Sequence, residues 1–461
     1  MEYLSIDEIL QAVNGKLILE GNVKSFNKVS IDSRKVSKGD IFFAIKGENF
    51  DGHNYLNQCS ENGAALLIVH DENFDKSKLK EYTSVILTKN TREALLDLAQ
   101  YYRKKLDIKV VGITGSTGKT STKDLVAAVL SEKYKVFKTK GNFNNEIGMP
   151  LMIFNIDNSY DIAVLELGMS NFGEIHRLAK VAKPDIAMIT NIGLSHIENL
   201  KTRENILKAK MEITDFFNEN NLLIVNGDND LLSGINSKKF KVKKIGIDSD
   251  YNFKASAIII GNENIQFNIK EDNKTIDEKF TVEVLGKHNV LNSLLAIAVA
   301  REFNMTYEEI NKGFKNLEVT SMRLDIIKAN GFTIINDSYN ASPDSMEAAL
   351  EVLKNFQGDK KIAVLGTMKE LGDESFNAHF RVGKFAKDKN IDLLITNGEF
   401  NNAFKEGFGE GCITFEDKKD IIDYLSKHIE KNSVILIKAS RSMKFESIVS
   451  GIQSFNIKEE R

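Results

Sequence analysis

The sequence predicts an α/β protein in three units. These are a small N-terminal α/β unit over 1–88, a central phosphate-loop unit over 89–317 with a mostly parallel sheet between helices, and a C-terminal Rossmann-like α/β unit over 318–461. Three observations predict this. Apolar runs of strand length alternate with helical stretches between about 91 and 247 and again beyond 320, the pattern of parallel strands joined by crossover helices. The run Val110-Val111-Gly112-Ile113-Thr114-Gly115-Ser116-Thr117-Gly118-Lys119-Thr120-Ser121 passes from an apolar strand through a glycine-rich turn into a helix marked by Leu125, Val126, Val129 and Leu130. Residues 253–285 break the alternation with short strands and polar turns, as a hairpin set appended to the central sheet would.

The N-terminal unit reads as a helix over 6–13, short strands near Ile31 and over 41–45, a helix near 55–62, and strands over 65–69 and 85–87. Helix 91–105 then leads into the glycine turn. Strands follow over 136–139, 162–167, 186–192, 222–226 and 244–247, with a helix over 204–216 and another over 289–303. The third unit opens with a strand pair, 324–328 and 333–336, then a helix after Pro343 and strands over 361–365, 393–396 and 434–438. It carries no G-x-G-x-x-G fingerprint.

Composition narrows the functional classes. A net charge of -3 with 28% charged residues gives no basic face for nucleic acid, so a polyanion would have to be held locally. Cys59 and Cys412 are the only cysteines and lie far apart, which argues against a disulfide framework or a cysteine metal site. The N-terminal stretch lacks a basic region ahead of an apolar one, and no apolar run approaches the ~18 residues of a membrane span. A soluble, cytoplasmic protein is expected.

Glycines let the backbone bend so that successive N–H groups and the helix N-terminus face phosphate oxygens. Lys119 would reach the outer phosphates and Thr120 a magnesium ion. The strict pattern asks for glycine where Ile113 stands. A phosphate loop alone leaves open a switch protein, a kinase, a transporter ATPase or a ligase. The guanine-reading N-K-x-D and a D-x-x-G after the second strand are both missing, which weighs against a GTPase switch. Glu166, at the end of an apolar strand, could ligate magnesium beside the loop, although carboxylates also end strands for solubility. His196 by itself reads as a structural residue, and Lys208 and Lys210 as a solvated basic helix face.

The order of motifs is more specific than any one of them. The glycine turn is followed by Gly141-Asn142-Phe143-Asn144-Asn145-Glu146, Glu166-Leu167-Gly168, Thr190-Asn191-Ile192-Gly193 with His196, Ala209-Lys210-Met211-Glu212, Lys287-His288-Asn289 with Asn292, Met322-Arg323-Leu324 and Asp337-Ser338-Tyr339-Asn340-Ala341-Ser342-Pro343. Over essentially the whole chain this resembles the Mur ligase family of peptidoglycan synthesis. Within it, Tyr339-Asn340-Ala341, Glu370-Leu371-Gly372 with His379, and Asp32-Ser33-Arg34 to Lys46-Gly47 look like the branch that attaches D-alanyl-D-alanine to UDP-N-acetylmuramoyl-tripeptide. A folylpolyglutamate synthetase would share the phosphate loop but should lack the N-terminal unit.

The resemblance implies ATP and two magnesium ions as cofactors. Gly115, Ser116, Thr117, Gly118, Lys119, Thr120 and Ser121 would hold the ATP phosphates, with Asn289 and Asn292 on the adenine side, Arg323 on phosphate and Asp337 on ribose. Thr120 and Glu166 would serve one magnesium, and His196 and a carbamylated Lys210 the second. Ser33, Arg34, Lys46 and Gly47 would take the uridine diphosphate end, Asn142, Asn144 and Asn145 the sugar-peptide path, and Tyr339 and Asn340 the incoming dipeptide. A monomer without nucleic-acid partner or membrane insertion is expected. Thr367 and Ala439 depart from the family pattern, which has aspartate and glycine there.

Overall fold

The computed structural model describes residues 1–455. The end of the third expected unit, 456–461, lies outside the described residues. Three main sheets form. The first runs Lys16–Leu19, Ser84–Leu87, Leu66–Val69, Ile41–Phe43, Val29–Ser30 and is parallel except for Lys16–Leu19. The second runs Val136–Lys138, Ile162–Glu166, Lys109–Thr114, Ile186–Ile189, Leu222–Asn226, Lys241–Gly246, all parallel. It continues through Phe253–Ile260 into the antiparallel strands Ile265–Glu271 and Lys274–Val282, the appended hairpin set. The third runs Asp325–Lys328, Thr333–Asn336, Ser433–Lys438, Lys360–Gly366, Leu393–Asn397, Cys412–Phe415, antiparallel only at its first pair.

Strand Lys109–Thr114 sits inside the second sheet and is buried at every position after Lys109, as an interior parallel strand covered on both faces must be. From it the chain passes to the edge strand 136–138, returns through 162–166 between the two, then crosses to 186–189 and 222–226 on the other side. The order therefore reverses beside Lys109–Thr114, and crevices at such switch points open at the carboxyl ends of strands. One face is covered by helix Lys119–Leu130, itself packed against the almost wholly buried helix His288–Glu302. The other is covered by Thr91–Lys104, Glu174–Ala182 and Arg203–Met211. Among the described residues no helix is long and apolar enough to cross a membrane. Both cysteines are buried and free.

Several boundaries differ from those the sequence suggests. The helix expected over 204–216 ends at Met211 and gives way to a 3-10 turn, Glu212–Thr214. The Glu212 carboxylate is drawn aside to accept from Gly173 N at 2.8 Å and His176 N at 3.1 Å, capping the earlier helix Glu174–Ala182. Lys210 is 1% exposed, so the expected solvated basic face is wrong at that position. The strand expected over 41–45 stops at Phe43, where Ile45 N turns back to the Phe43 carbonyl at 3.0 Å. The strand near Ile31 is Val29–Ser30, cut short because Asp32 caps a 3-10 turn, Ser33–Lys35. Strands Lys16–Leu19 and Cys412–Phe415 are edge strands with partly exposed residues, whose sequences do not stand out from their surroundings.

Helix Thr91–Lys104 joins the first two units. Asn90 caps it, its apolar side meets helix Ile6–Val13, and Arg103 spreads its guanidinium over the carbonyls of Ala182, Leu106 and Ile108, each at 3.1 Å. Arg103 is buried, and its three donations satisfy carbonyls that no water could reach. Arg103→Met keeps the apolar stem but strands those carbonyls. It should destabilise the central unit by about 3 kcal/mol, seen as an earlier guanidinium midpoint; an unchanged midpoint would contradict the assignment.

Candidate active site

The glycine turn is shaped by crowding. Gly115 has φ +152°, and a Cβ there would stand 1.8 Å from Thr190 Oγ1, so only glycine lets the loop lie this close to the neighbouring strand end. Gly118, at φ +79°, turns the chain into helix Lys119–Leu130. The loop is laced to residues 190–195. Ser116 N donates to the Asn191 carbonyl at 3.0 Å, Thr117 N to Asn191 Oδ1 at 2.8 Å, Gly193 N to Ser116 Oγ at 2.9 Å and Ser195 Oγ to the Ser116 carbonyl at 3.2 Å. Such lacing holds the loop in one conformation for an anion, with the N-terminus of the helix behind it.

Glu166 ends its strand one position over and is 3% exposed. Thr120 Oγ1 donates to its Oε2 at 2.9 Å and Asn144 Nδ2 to its Oε1 at 2.8 Å. Lys119 Nζ donates to the Gly115 carbonyl at 2.7 Å, across the mouth of the loop. Lys210 belongs to the same region electrostatically. Burial, together with the charge of Lys119, holds its amine well below the ordinary lysine range. His196 sits in the left-handed region at φ +66°, and its Nδ1 lies 2.5 Å from Glu370 Oε2, a carboxylate carried by the third sheet.

A cavity of about 320 Å³ opens over the loop, lined by residues 116–121, Glu166, Asn289, Asn292, Arg323, Asp337 and Asn340. Asn292 Nδ2 donates to Asn289 Oδ1, and Asn289 Nδ2 to the Leu285 carbonyl, each at 2.8 Å. The Arg323 guanidinium lies 4.3 Å from the Tyr339 ring centre, with the Arg441 guanidinium 5.9 Å away. Asn226, His288 and Lys438 also line this space, of which only His288 falls within a motif singled out in the sequence. Lys438 is 3% exposed; its Nζ reaches Asp337 Oδ2 at 2.5 Å and the Asn340 carbonyl at 2.9 Å. A lysine closing the apolar run 434–437 was the available signal.

Other expected residues stand apart. Ser33 and Arg34 line a separate cavity on the first unit with Phe50, Tyr55 and Gln58, and the rings of Phe50 and Tyr55 stack at 5.4 Å. Arg34 pairs there with both oxygens of Asp32, which its guanidinium holds at a pKa of about 2. Lys46 faces Asp51 at 3.8 Å and Gly47 N donates to the Phe50 carbonyl at 2.7 Å. Of the three asparagines after Gly141, only Asn144 touches Glu166; Asn145 Oδ1 caps the amides of Ile147 and Gly148, and Asn142 is exposed. The two departures are accommodated. Thr367 Oγ1 accepts from Glu399 N at 3.1 Å, and the Ala439 methyl fills the space beside Gly366, 2.7 Å from where a Cβ at Gly366 would stand.

Among the described residues no group of three or more His, Cys, Asp or Glu side chains gathers as a metal cluster. The donor set nonetheless fits magnesium bound to a nucleotide. That ion keeps most of its shell as water and phosphate oxygen and takes only one or two protein oxygens, here Thr120 Oγ1 and Glu166.

Three stretches match family models: the "Mur ligase family, catalytic domain" over 25–103, the "Mur ligase middle domain" over 113–300, and the "Mur ligase, glutamate ligase domain" over 322–441. The chain is 41% identical over 433 residues to the UDP-N-acetylmuramoyl-tripeptide–D-alanyl-D-alanine ligase of Bacillus subtilis, covering 92% of each. Its structure is similar to MurF from Acinetobacter baumannii, with a TM-score of 0.91 at 29% identity over 98% of this chain and 99% of that one. The MurF ligase of Thermotoga maritima in complex with ADP is similar at a TM-score of 0.83, 28% identity, and 93% and 97% coverage.

Two outcomes follow from this geometry. Gly115→Ala should lower ADP affinity at least about tenfold by displacing the loop from Thr190, measured by calorimetry; wild-type affinity would contradict the packing argument. His379 is fully buried, donates from Nδ1 to the Ser375 carbonyl and accepts Met368 N on Nε2, and burial pushes its pKa down to about 4. An unfolded chain protonates His379 first as pH falls from about 6.5, so its contribution to stability should decline between there and about 4. His379→Gln should lose less of its thermal midpoint between pH 7 and pH 5 than the wild type; equal losses would contradict this.

Proposed function

The chain belongs to the Mur ligase family, and on that premise we propose how its residues act. It is a ligase that adds D-alanyl-D-alanine to UDP-N-acetylmuramoyl-tripeptide in peptidoglycan precursor synthesis, using ATP. In the division of labour we infer, residues 1–88 take the UDP-sugar-peptide, 89–317 the ATP, and 318–461 the dipeptide. The enzyme works in the cytoplasm as a monomer.

The difficulty of the reaction is electrostatic. The tripeptide carboxylate must approach a γ-phosphate that is also an anion, and two such charges ~4 Å apart repel by ~4 kcal/mol at an effective dielectric of ~20. Lys119 offsets that repulsion from the mouth of the loop. Two magnesium ions, when bound, supply further positive charge and a template for the phosphate oxygens. Thr120 and Glu166 would hold one, and His196 and Lys210 would serve the other. A neutral, buried amine such as Lys210 can capture carbon dioxide and become an anion able to orient a cation, which an ammonium cannot do. Transfer of the γ-phosphoryl group to the tripeptide carboxylate releases ADP and leaves an acyl phosphate; the free amine of the dipeptide then attacks its carbonyl carbon through a tetrahedral intermediate that expels phosphate, the amine giving up its proton as the amide forms.

Roles elsewhere follow the same logic. Asn289 and Asn292 stand on the adenine side, Arg323 meets phosphate, and Asp337 meets ribose while Lys438 fixes its carboxylate. Ser33, Arg34, Lys46 and Gly47 take the uridine diphosphate, with Arg34 exchanging Asp32 for phosphate oxygen. Asn142, Asn144 and Asn145 border the sugar-peptide path, and Tyr339 and Asn340 the dipeptide. Docking of the third unit over the loop excludes the water that would destroy an acyl phosphate.

The observation that carries this reading is Lys210, 1% exposed and kept toward neutrality next to the loop lysine. Phosphate release should require both UDP-N-acetylmuramoyl-tripeptide and D-alanyl-D-alanine. Lys119→Ala and Lys210→Ala should each lower it by roughly a thousandfold, and excess bicarbonate should restore neither. Normal turnover by Lys210→Ala would refute the carbamate role.

A further inference from the structure

Glu370 is a polar residue of the third sheet that reaches the catalytic centre of the second, and no role has yet been given to it. It follows strand Lys360–Gly366 in a loop fixed from several directions. Met368 N donates to His379 Nε2 at 2.9 Å, Lys369 N to Ser440 Oγ at 2.9 Å, and the Thr367 carbonyl accepts Ser440 N at 3.2 Å. The His379 ring is itself held between Phe400 and Phe404, with centres at 4.6 and 4.9 Å.

At the end of this loop Glu370 takes a left-handed backbone, φ +65°, and its carbonyl accepts Glu198 N at 3.2 Å across the gap between units. Its carboxylate Oε2 lies 2.5 Å from His196 Nδ1, and His196 is left-handed too. Non-glycine residues persist in that region only where their surroundings over-determine them, and such residues cluster at functional sites. Here two of them, one from each unit, face each other.

A histidine that binds a cation through one ring nitrogen characteristically presents the other to a carboxylate, which fixes the tautomer and the ring orientation. With Nδ1 turned to Glu370, Nε2 is the nitrogen left for a cation. We propose that Glu370 is the positioning residue for His196: a carboxylate lent by the C-terminal unit that aims the imidazole at the second divalent cation, so that this cation site is completed only when the C-terminal unit is docked. The inference rests on the role given to His196 in the proposed function. It makes the docking of the unit that carries the dipeptide a precondition for binding the second cation, and so for forming a water-sensitive acyl phosphate.

The test uses manganese(II) as the probe, followed by electron paramagnetic resonance, on the full chain with a non-hydrolysable ATP analogue and UDP-N-acetylmuramoyl-tripeptide. Glu370→Ala should weaken the second manganese site by roughly ten- to a hundredfold. The isosteric Glu370→Gln, which still accepts from Nδ1, should weaken it less. Affinity for the analogue without divalent ion should not change. In a His196→Asn background, Glu370→Gln should have no further effect on manganese binding, because its influence passes through the imidazole. Wild-type manganese affinity in both Glu370 variants, or a further loss in the His196→Asn background, overturns the proposal while leaving the ligase reading intact. Failure of the wild type to release phosphate with both substrates present overturns the ligase reading and this inference together.

Discussion

Two lysines of the central unit act on each other's charge. Lys119 must stay charged to draw in polyphosphate, and Lys210, 1% exposed and within its field, is thereby pushed toward the neutral amine. The arrangement works because the carboxylate of Glu166 stands beside Lys119, and because the loop that carries Lys119 is pinned to residues 190–195 and cannot swing into solvent. Three adjacent strands of the central sheet are ordered around this pair. Lys109–Thr114 delivers the loop, Ile162–Glu166 the carboxylate, and Ile186–Ile189 the segment that laces the loop.

The third unit is tied to this centre by its linker as well as by its sheet. Thr320 donates through N and Oγ1 to Asp124 Oδ2, at 3.1 and 2.6 Å, on the helix that follows the phosphate loop. Asp124 is buried and also faces Lys123 and Lys138, so the linker starts from a rigid point. Arg323 follows between two left-handed residues, Met322 and Leu324, which set its guanidinium over the Tyr339 ring. Arg323 thus touches both the nucleotide cavity and Tyr339 of the third unit. In the proposed reaction this is how the dipeptide's unit and the phosphoryl site come to depend on each other.

Much of the fold was legible because long apolar runs have few alternatives. Lys109–Thr114, Leu222–Asn226 and Ser433–Lys438 are buried along nearly their whole length and read as interior strands from sequence alone. Edge strands such as Lys16–Leu19 were not legible, since half-exposed positions carry no strong pattern. In the site, the phosphate loop and Glu166 announced themselves by local spacing. Lys210 did not: its short helix is amphipathic only weakly, and the burial that changes its chemistry comes from other strands and helices. Lys438, at the end of a buried strand, and Glu370, within a motif, carry local signals, but what each does was not legible because the partners Asp337, Asn340 and His196 are distant in sequence.

The central claim is that buried side chains around the glycine turn gather positive charge where two anions must meet. A crystal structure of the enzyme with magnesium, a non-hydrolysable ATP analogue and UDP-N-acetylmuramoyl-tripeptide tests it most directly. The account predicts a carboxylated Nζ on Lys210, with that group, His196 and Glu166 all turned toward cations touching the terminal phosphate. An unmodified Lys210, or Glu166 and His196 turned away from the phosphate, would contradict it.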